Sequence, residues 1–148
     1  MTELNLKARA KRLRQILGSG EDVESKAEQL KHILGSWADV HPWNFDILWV
    51  GTPFKYANGD QLALFATLDQ DKVYVHDMGG TLVHQALRLV GDDDATRRVV
   101  SAYGVGLDRG FIGNEIKLDG DVVSGVMGVI AACLAVDGAA VWVQDSDE

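Results

Sequence analysis

Residues 44–81 constrain the fold more than any other stretch of the chain. Phe45, Ile47 and Trp49 alternate with Asp46, Leu48 and Val50, and two further short apolar segments follow at 62–68 and 72–76. Alternation with a period of two predicts strands. The first segment is apolar on both faces, as in a strand inside a sheet, and Thr52-Pro53 ends or bends it. Asn58-Gly59 is a strong hairpin signal, because a type I′ turn needs positive φ at both central residues. Gln70-Asp71 supplies the next tight turn. Connections this short force neighbouring strands to run antiparallel, so a three-strand meander is expected.

Helical patterns surround the meander. Leu6, Ala10, Leu13 and Leu17 share one face of a helix over 2–17, capped by Thr2 and ended by Gly18-Ser19-Gly20. Val23, Ala27, Leu30, Ile33, Leu34 and Trp37 mark a second helix over 21–38, with Ser25 and Glu28 spaced as a capping box, and His41-Pro42 breaks the pattern. Gly79-Gly80-Thr81 opens a helix over 82–90, and the aspartates at 92–94 cap another over 95–103. Gly104, Gly106 and Gly110 read as a connector, and residues 111–118 as a small hairpin turning at Gly113-Asn114. Val122, Val126, Val129, Ile130 and Cys133 face a core from a helix over 121–136, whose Gly125 and Gly128 allow a close neighbour. Asp137-Gly138 stops it, residues 139–143 form a further turn or a short strand, and 144–148 are an acidic tail. One α+β domain over 1–148 is expected, with a small antiparallel sheet (the meander plus the short hairpin) and about five helices against one face.

Charge narrows the function. Lys and Arg number 14 against 22 Asp and Glu, a net charge of −8. A nucleic-acid surface must replace condensed counterions with its own cations, so broad nucleic-acid binding is disfavoured. Only Lys7, Arg9, Lys11, Arg12 and Arg14 gather enough charge for a weak contact of that kind. A protein partner with a basic surface suits the acidity better. Cys133 is the sole cysteine, so no intrachain disulfide exists, and its apolar neighbours suggest an inert thiol. No apolar run is long enough to span a bilayer and no signal-peptide core follows the N-terminus, so a cytoplasmic protein without membrane contact is expected. No cofactor is expected: Gly104 to Gly110 follows a helix and lacks the lysine of a phosphate loop, and His76 and His84 have no zinc-type spacing. The four tryptophans sit in apolar surroundings and read as core.

Asp60 and Asp77 are the two carboxylates with chemical promise. Asp60 follows the Asn58-Gly59 turn, and Asp77 ends the third strand before a glycine pair, so the meander returns both to one end of the sheet. Two carboxylates there could share a divalent metal or a proton, or simply accept turn N–H bonds. The Thr52-Pro53-Phe54 step, Asp60 before an alternating strand, Asp77 with Gly79 and Thr81, Gly104-Val105 and Glu115-Ile116 ahead of an apolar helix together resemble the bacterial and phage family called domain of unknown function 1828, over about residues 24–137. Met78 and Gly80 stand where that family usually carries an acid and an aromatic. The resemblance implies a phage or mobile-element context without a settled activity, and marks Thr52, Phe54, Asp60, Asp77 and Thr81 as binding residues. The expected function is a non-catalytic accessory protein that docks on a host or phage protein with a basic surface, such as a host-defence component, and that could form a homodimer. The alternative is a small metal-dependent hydrolase or nuclease-like enzyme using Asp60 and Asp77.

Overall fold

The computed structural model describes residues 23–84 and 93–146. Helix α1 (Val23–Leu34) leads into strands β1 (Asp39–Asn44), β2 (Ile47–Lys55), β3 (Gln61–Asp69) and β4 (Lys72–His76). Short α2 (Gly80–His84), α3 (Asp93–Ser101), β5 (Gly106–Asp108), β6 (Phe111–Lys117) and long α4 (Val122–Ser146) follow. All six strands join one antiparallel sheet in the order β1-β2-β3-β4-β6-β5. The fold is α+β, with four helices among the described residues.

The sheet is larger than the sequence pattern indicates, for identifiable reasons. Residues 39–44 form a strand although they contain Pro42, because β1 is an edge strand and an edge needs only one row of backbone bonds. The meander and the later hairpin are one sheet, since β4 pairs with β6 from Lys72↔Lys117 to His76↔Gly113. That hairpin turns at Arg109-Gly110, not at Gly113-Asn114. Gly113 lies inside β6, where a Cβ would come within 2.6 Å of the Val75 carbonyl oxygen. The supposed connector supplies β5.

Helix bounds shift as well. α1 ends at Leu34, where the Gly35 N–H bonds back to the Lys31 carbonyl, and Ser25 lies inside it instead of capping it. α4 begins with Asp121 accepting the Ser124 N–H at 3.0 Å, an N-cap, and runs through Asp137-Gly138 to Ser146. Asp137 does not stop it because its side chain is buried and accepts the Ala57 N–H at 2.7 Å, tying α4 to the β2–β3 connection. Residues 139–143 and the start of the expected acidic tail are therefore helical. The helix expected over 2–17, residues 85–90 of the one over 82–90, and residues 147–148 lie outside the described residues.

The core lies between the helices and one face of the sheet. Val40, Leu48, Val50, Leu62, Leu64, Ala66, Val73, Val75, Ile112 and Ile116 point into it and meet Leu30, Val100, Val126, Val129 and Cys133. Each fully buried leucine here contributes about 1.5–3 kcal/mol relative to exposure. α4 sits close on the sheet because Gly125 has no side chain; a Cβ there would stand 2.6 Å from the Ile116 side chain. Among the described residues no helix is long and apolar enough to cross a membrane, which says nothing of a strand-built barrel.

Candidate functional site

Two regions contain the residues of interest. The first is a buried polar knot at the end of β4. Pro53 has no N–H to give the ladder, so β2 bulges between Gly51↔Ala63 and Lys55↔Gln61. Thr52 repairs the bulge: its hydroxyl donates to the Leu62 carbonyl at 2.7 Å and accepts the Phe54 N–H at 3.2 Å. Gln61 Nε2 donates to the Thr52 carbonyl at 3.0 Å. Phe54 is partly buried and packs against the core.

Asp77 holds the knot together. Its Oδ1 accepts the Gly79 and Ile112 N–H groups at 2.9 Å each, and its Oδ2 accepts the Thr81 N–H at 3.0 Å. One carboxylate thus shapes the turn, caps α2 and fastens β6. Asp77 is 3% exposed. The Thr81 hydroxyl, fully buried, lies 2.7 Å from the Tyr56 hydroxyl. Burial pushes the Tyr56 phenol well above its ordinary value, with the charges of Asp77 and Asp137 adding to the effect. Burial also pushes the Cys133 thiol up to about 12, with Asp77 adding and a hydrogen bond to Thr81 opposing. A thiol so held is no nucleophile at neutral pH.

Asp60 is elsewhere. It is exposed, accepts from Asn58 Nδ2 at 2.9 Å, and returns its own N–H to Asn58 Oδ1. The connection carrying it runs from Tyr56 to Asp60, with the Gly59 N–H on the Tyr56 carbonyl, and is longer than a two-residue loop. β4 ends where His76 pairs with Phe65, four residues short of Gln61. At about 3.3 Å per residue, Asp60 stands roughly 13 Å further along the sheet. The two carboxylates share an end of the sheet but not a site, and Asp77 spends both oxygens on backbone donors. Among the described residues no three His, Cys, Asp or Glu side chains gather as metal ligands.

The second region is the sheet face opposite the described helices. His41↔Trp49, Trp49↔Phe65, Phe65↔His76 and His76↔Gly113 are register pairs, and Gly113 pairs with Gly106. One row of side chains therefore crosses the sheet as four rings in succession and ends in two glycines. The rings touch: His41–Trp49 stack at 6.0 Å, Phe65–His76 at 6.3 Å and His76–Phe111 at 4.9 Å. Tyr74 tilts against His76 at 5.0 Å, and Trp43 meets Phe65 edge-on at 4.9 Å. Trp49 lies flat because Gly51 is beneath it; a Cβ on Gly51 would fall 2.4 Å from the indole. His76 Nδ1 accepts the Met78 N–H at 2.9 Å, which places the neutral ring's proton on Nε2. Burial lowers the His76 pKa, and the Asp77 charge opposes this.

The row opens to solvent at the β1–β2 tip. Trp43 is 51% exposed and Phe45 72%. Phe45 also holds φ +48°, in a two-residue turn flanked by the Asn44↔Ile47 pair. An exposed aromatic residue in the left-handed region costs both solvation and backbone strain, about 1–2 kcal/mol for the latter. With Tyr103 at 47%, Trp43 and Phe45 are the exposed large apolar side chains among the described residues. The sequence pattern places these tryptophans in the core. Trp43 and Trp49 instead belong to this face; the alternation of Phe45, Ile47 and Trp49 could have revealed it, had His41 been recognised as a strand residue.

The chain is thus an α+β protein whose antiparallel sheet packs against the described helices on one face and carries a row of aromatic rings on the other. Its family is shown by sequence: residues 52–136 match Domain of unknown function DUF1828, and the chain belongs to that family. No curated protein and no solved structure matches the chain. The matched segment contains the whole polar knot, whereas Trp43, Phe45 and Trp49 lie before it.

Proposed function

We propose that this protein is a non-catalytic binding module that docks a partner protein with a basic surface on its open sheet face. The observation that carries the proposal is the ring row running from His41 to His76, with Trp43, which meets Phe65, and Phe45 exposed beside it at the β1–β2 tip. Large aromatic side chains held by mutual stacking lose little entropy on docking and serve as interface anchors. The sequence-marked residues Thr52, Phe54, Asp77 and Thr81 support the reading indirectly, by building the frame beneath the face. The finer role, an accessory protein of a phage or mobile element that inhibits a host-defence component, rests on the context that the family resemblance implies.

The test is capture from nuclease-treated host lysate by the wild-type chain beside a Trp43→Ala/Phe45→Gly variant and an Asp60→Ala variant. Loss of the captured protein with the first variant and retention with the second is expected. Equal capture by all three would reject the face as the docking surface.

A further inference from the structure

At its β5 end the ring row drops into a groove of about 570 Å³. Gly106, exposed and without a side chain, lines its floor beside its buried register partner Gly113. Two aromatic residues, Tyr74 and Phe111, and two acidic ones, Asp108 and Glu115, line it as well. Asp108 is near enough to Tyr74 for its charge to raise the phenol pKa, after burial. Glu115 also pairs with Lys72 at 3.1 Å.

We propose that this groove is an anchor site for a cationic side chain, an arginine guanidinium, presented by the partner protein. The inference rests on the binding-module reading and specifies its chemistry. A planar guanidinium matches what the groove offers: ring faces to stack on, carboxylates to receive its N–H fork, and a backbone floor low enough to admit it. The charge of the whole chain, −8, favours the same sign of partner and disfavours a nucleic-acid strand. One residue works against it. Arg109, with φ +53° in the β5–β6 turn, lines the same groove and competes for the same carboxylates.

That competition gives a test with opposite signs. The probe is N-acetyl-arginine amide, titrated into the full chain and followed by amide chemical shifts. Saturable shifts at Tyr74, Gly106 and Gly113 are expected. Asp108→Asn should weaken the binding by about threefold, the scale of one exposed charge pair, and Arg109→Asn should strengthen it by about as much. Gly106→Val should abolish it by filling the floor. A Cβ there stands 3.7 Å from the Gly113 carbonyl oxygen, an ordinary van der Waals distance, and Gly106→Ala, which makes no closer contact, is run beside it. Equal shifts from N-acetyl-leucine amide, shifts from a short oligothymidylate in place of the arginine probe, or shifts unchanged by Asp108→Asn and Gly106→Val would each overturn the assignment. If the arginine site fails while Trp43→Ala/Phe45→Gly still abolishes partner capture, the binding-module reading stands and only its chemistry is wrong.

Discussion

The polar knot around Asp77 and the open ring face lie at the same end of β4, back to back through His76 and Asp77, and they differ in almost every respect. In the knot each polar atom has a short bond to a defined partner, and little is exposed. On the face, aromatic surface and a strained turn are left open to water at Trp43 and Phe45. Satisfied buried polar groups hold a fold in one arrangement, whereas exposed apolar surface and a strained turn are a standing cost to the fold. The contrast teaches that Asp77, placed where a catalytic carboxylate could stand, spends its oxygens on backbone donors, while the face proposed to bind is built from residues that resemble core.

Mutation can sharpen the contrast. Asp77→Ala is expected to have the largest effect, because it strands the Gly79, Thr81 and Ile112 N–H groups together. At about 1–3 kcal/mol per orphaned donor, a loss of about 3–5 kcal/mol in chemical unfolding is expected. Unchanged stability would mean that the knot is not the frame. Thr52→Val should cost less, about 1–2 kcal/mol, by leaving the Leu62 carbonyl and the Phe54 N–H without their bulge partner.

His76 joins the two regions and gives a pH signature. Its folded pKa is lowered by burial, so the unfolded chain binds more protons at acid pH. Stability should therefore be fully present above the unfolded value of about 6.5 and fall as pH drops through and below it. Protonation would also set an Nδ1–H against the Met78 N–H. His76→Phe should flatten that part of the profile; an identical profile in the variant would assign the acid sensitivity to other groups.

The smallest effect on stability is expected at the tip. Phe45→Gly relieves the positive φ and, among the described residues, removes no core side chain, so the melting temperature should hold or rise slightly while partner capture is lost. A sharp drop in stability would make Phe45 structural and dissolve the comparison.

Much of the framework was legible in the sequence. β3 and β4 alternate cleanly, Lys72 to His76 falls where the pattern puts it, and Gly125 announces the close approach of α4. The face was not legible because its turns break the usual signals. The β1–β2 and β5–β6 loops place Phe45 and Arg109 at positive φ, where glycine or asparagine normally announces a hairpin. Without the Phe45 turn, Pro42 looks like a helix break and β1 disappears, and with it the row from His41 to Trp49. Gly113 misled in the opposite sense, as a turn residue that in fact packs inside β6. Asp77 was found from its place before a glycine pair, but its role depends on the Ile112 N–H, 35 residues away in sequence, which no local pattern contains.

The central claim is that the ring face, and not the pair Asp60 and Asp77, is where this protein acts. The most direct measurement is partner capture by Trp43→Ala/Phe45→Gly, with the melting temperature of the same sample recorded beside it. Loss of capture, with the melting temperature lowered by no more than the few degrees that losing the Trp43–Phe65 contact explains, is the result expected. Full capture by that variant, with loss in Asp60→Ala, would contradict the account and return the function to the carboxylates.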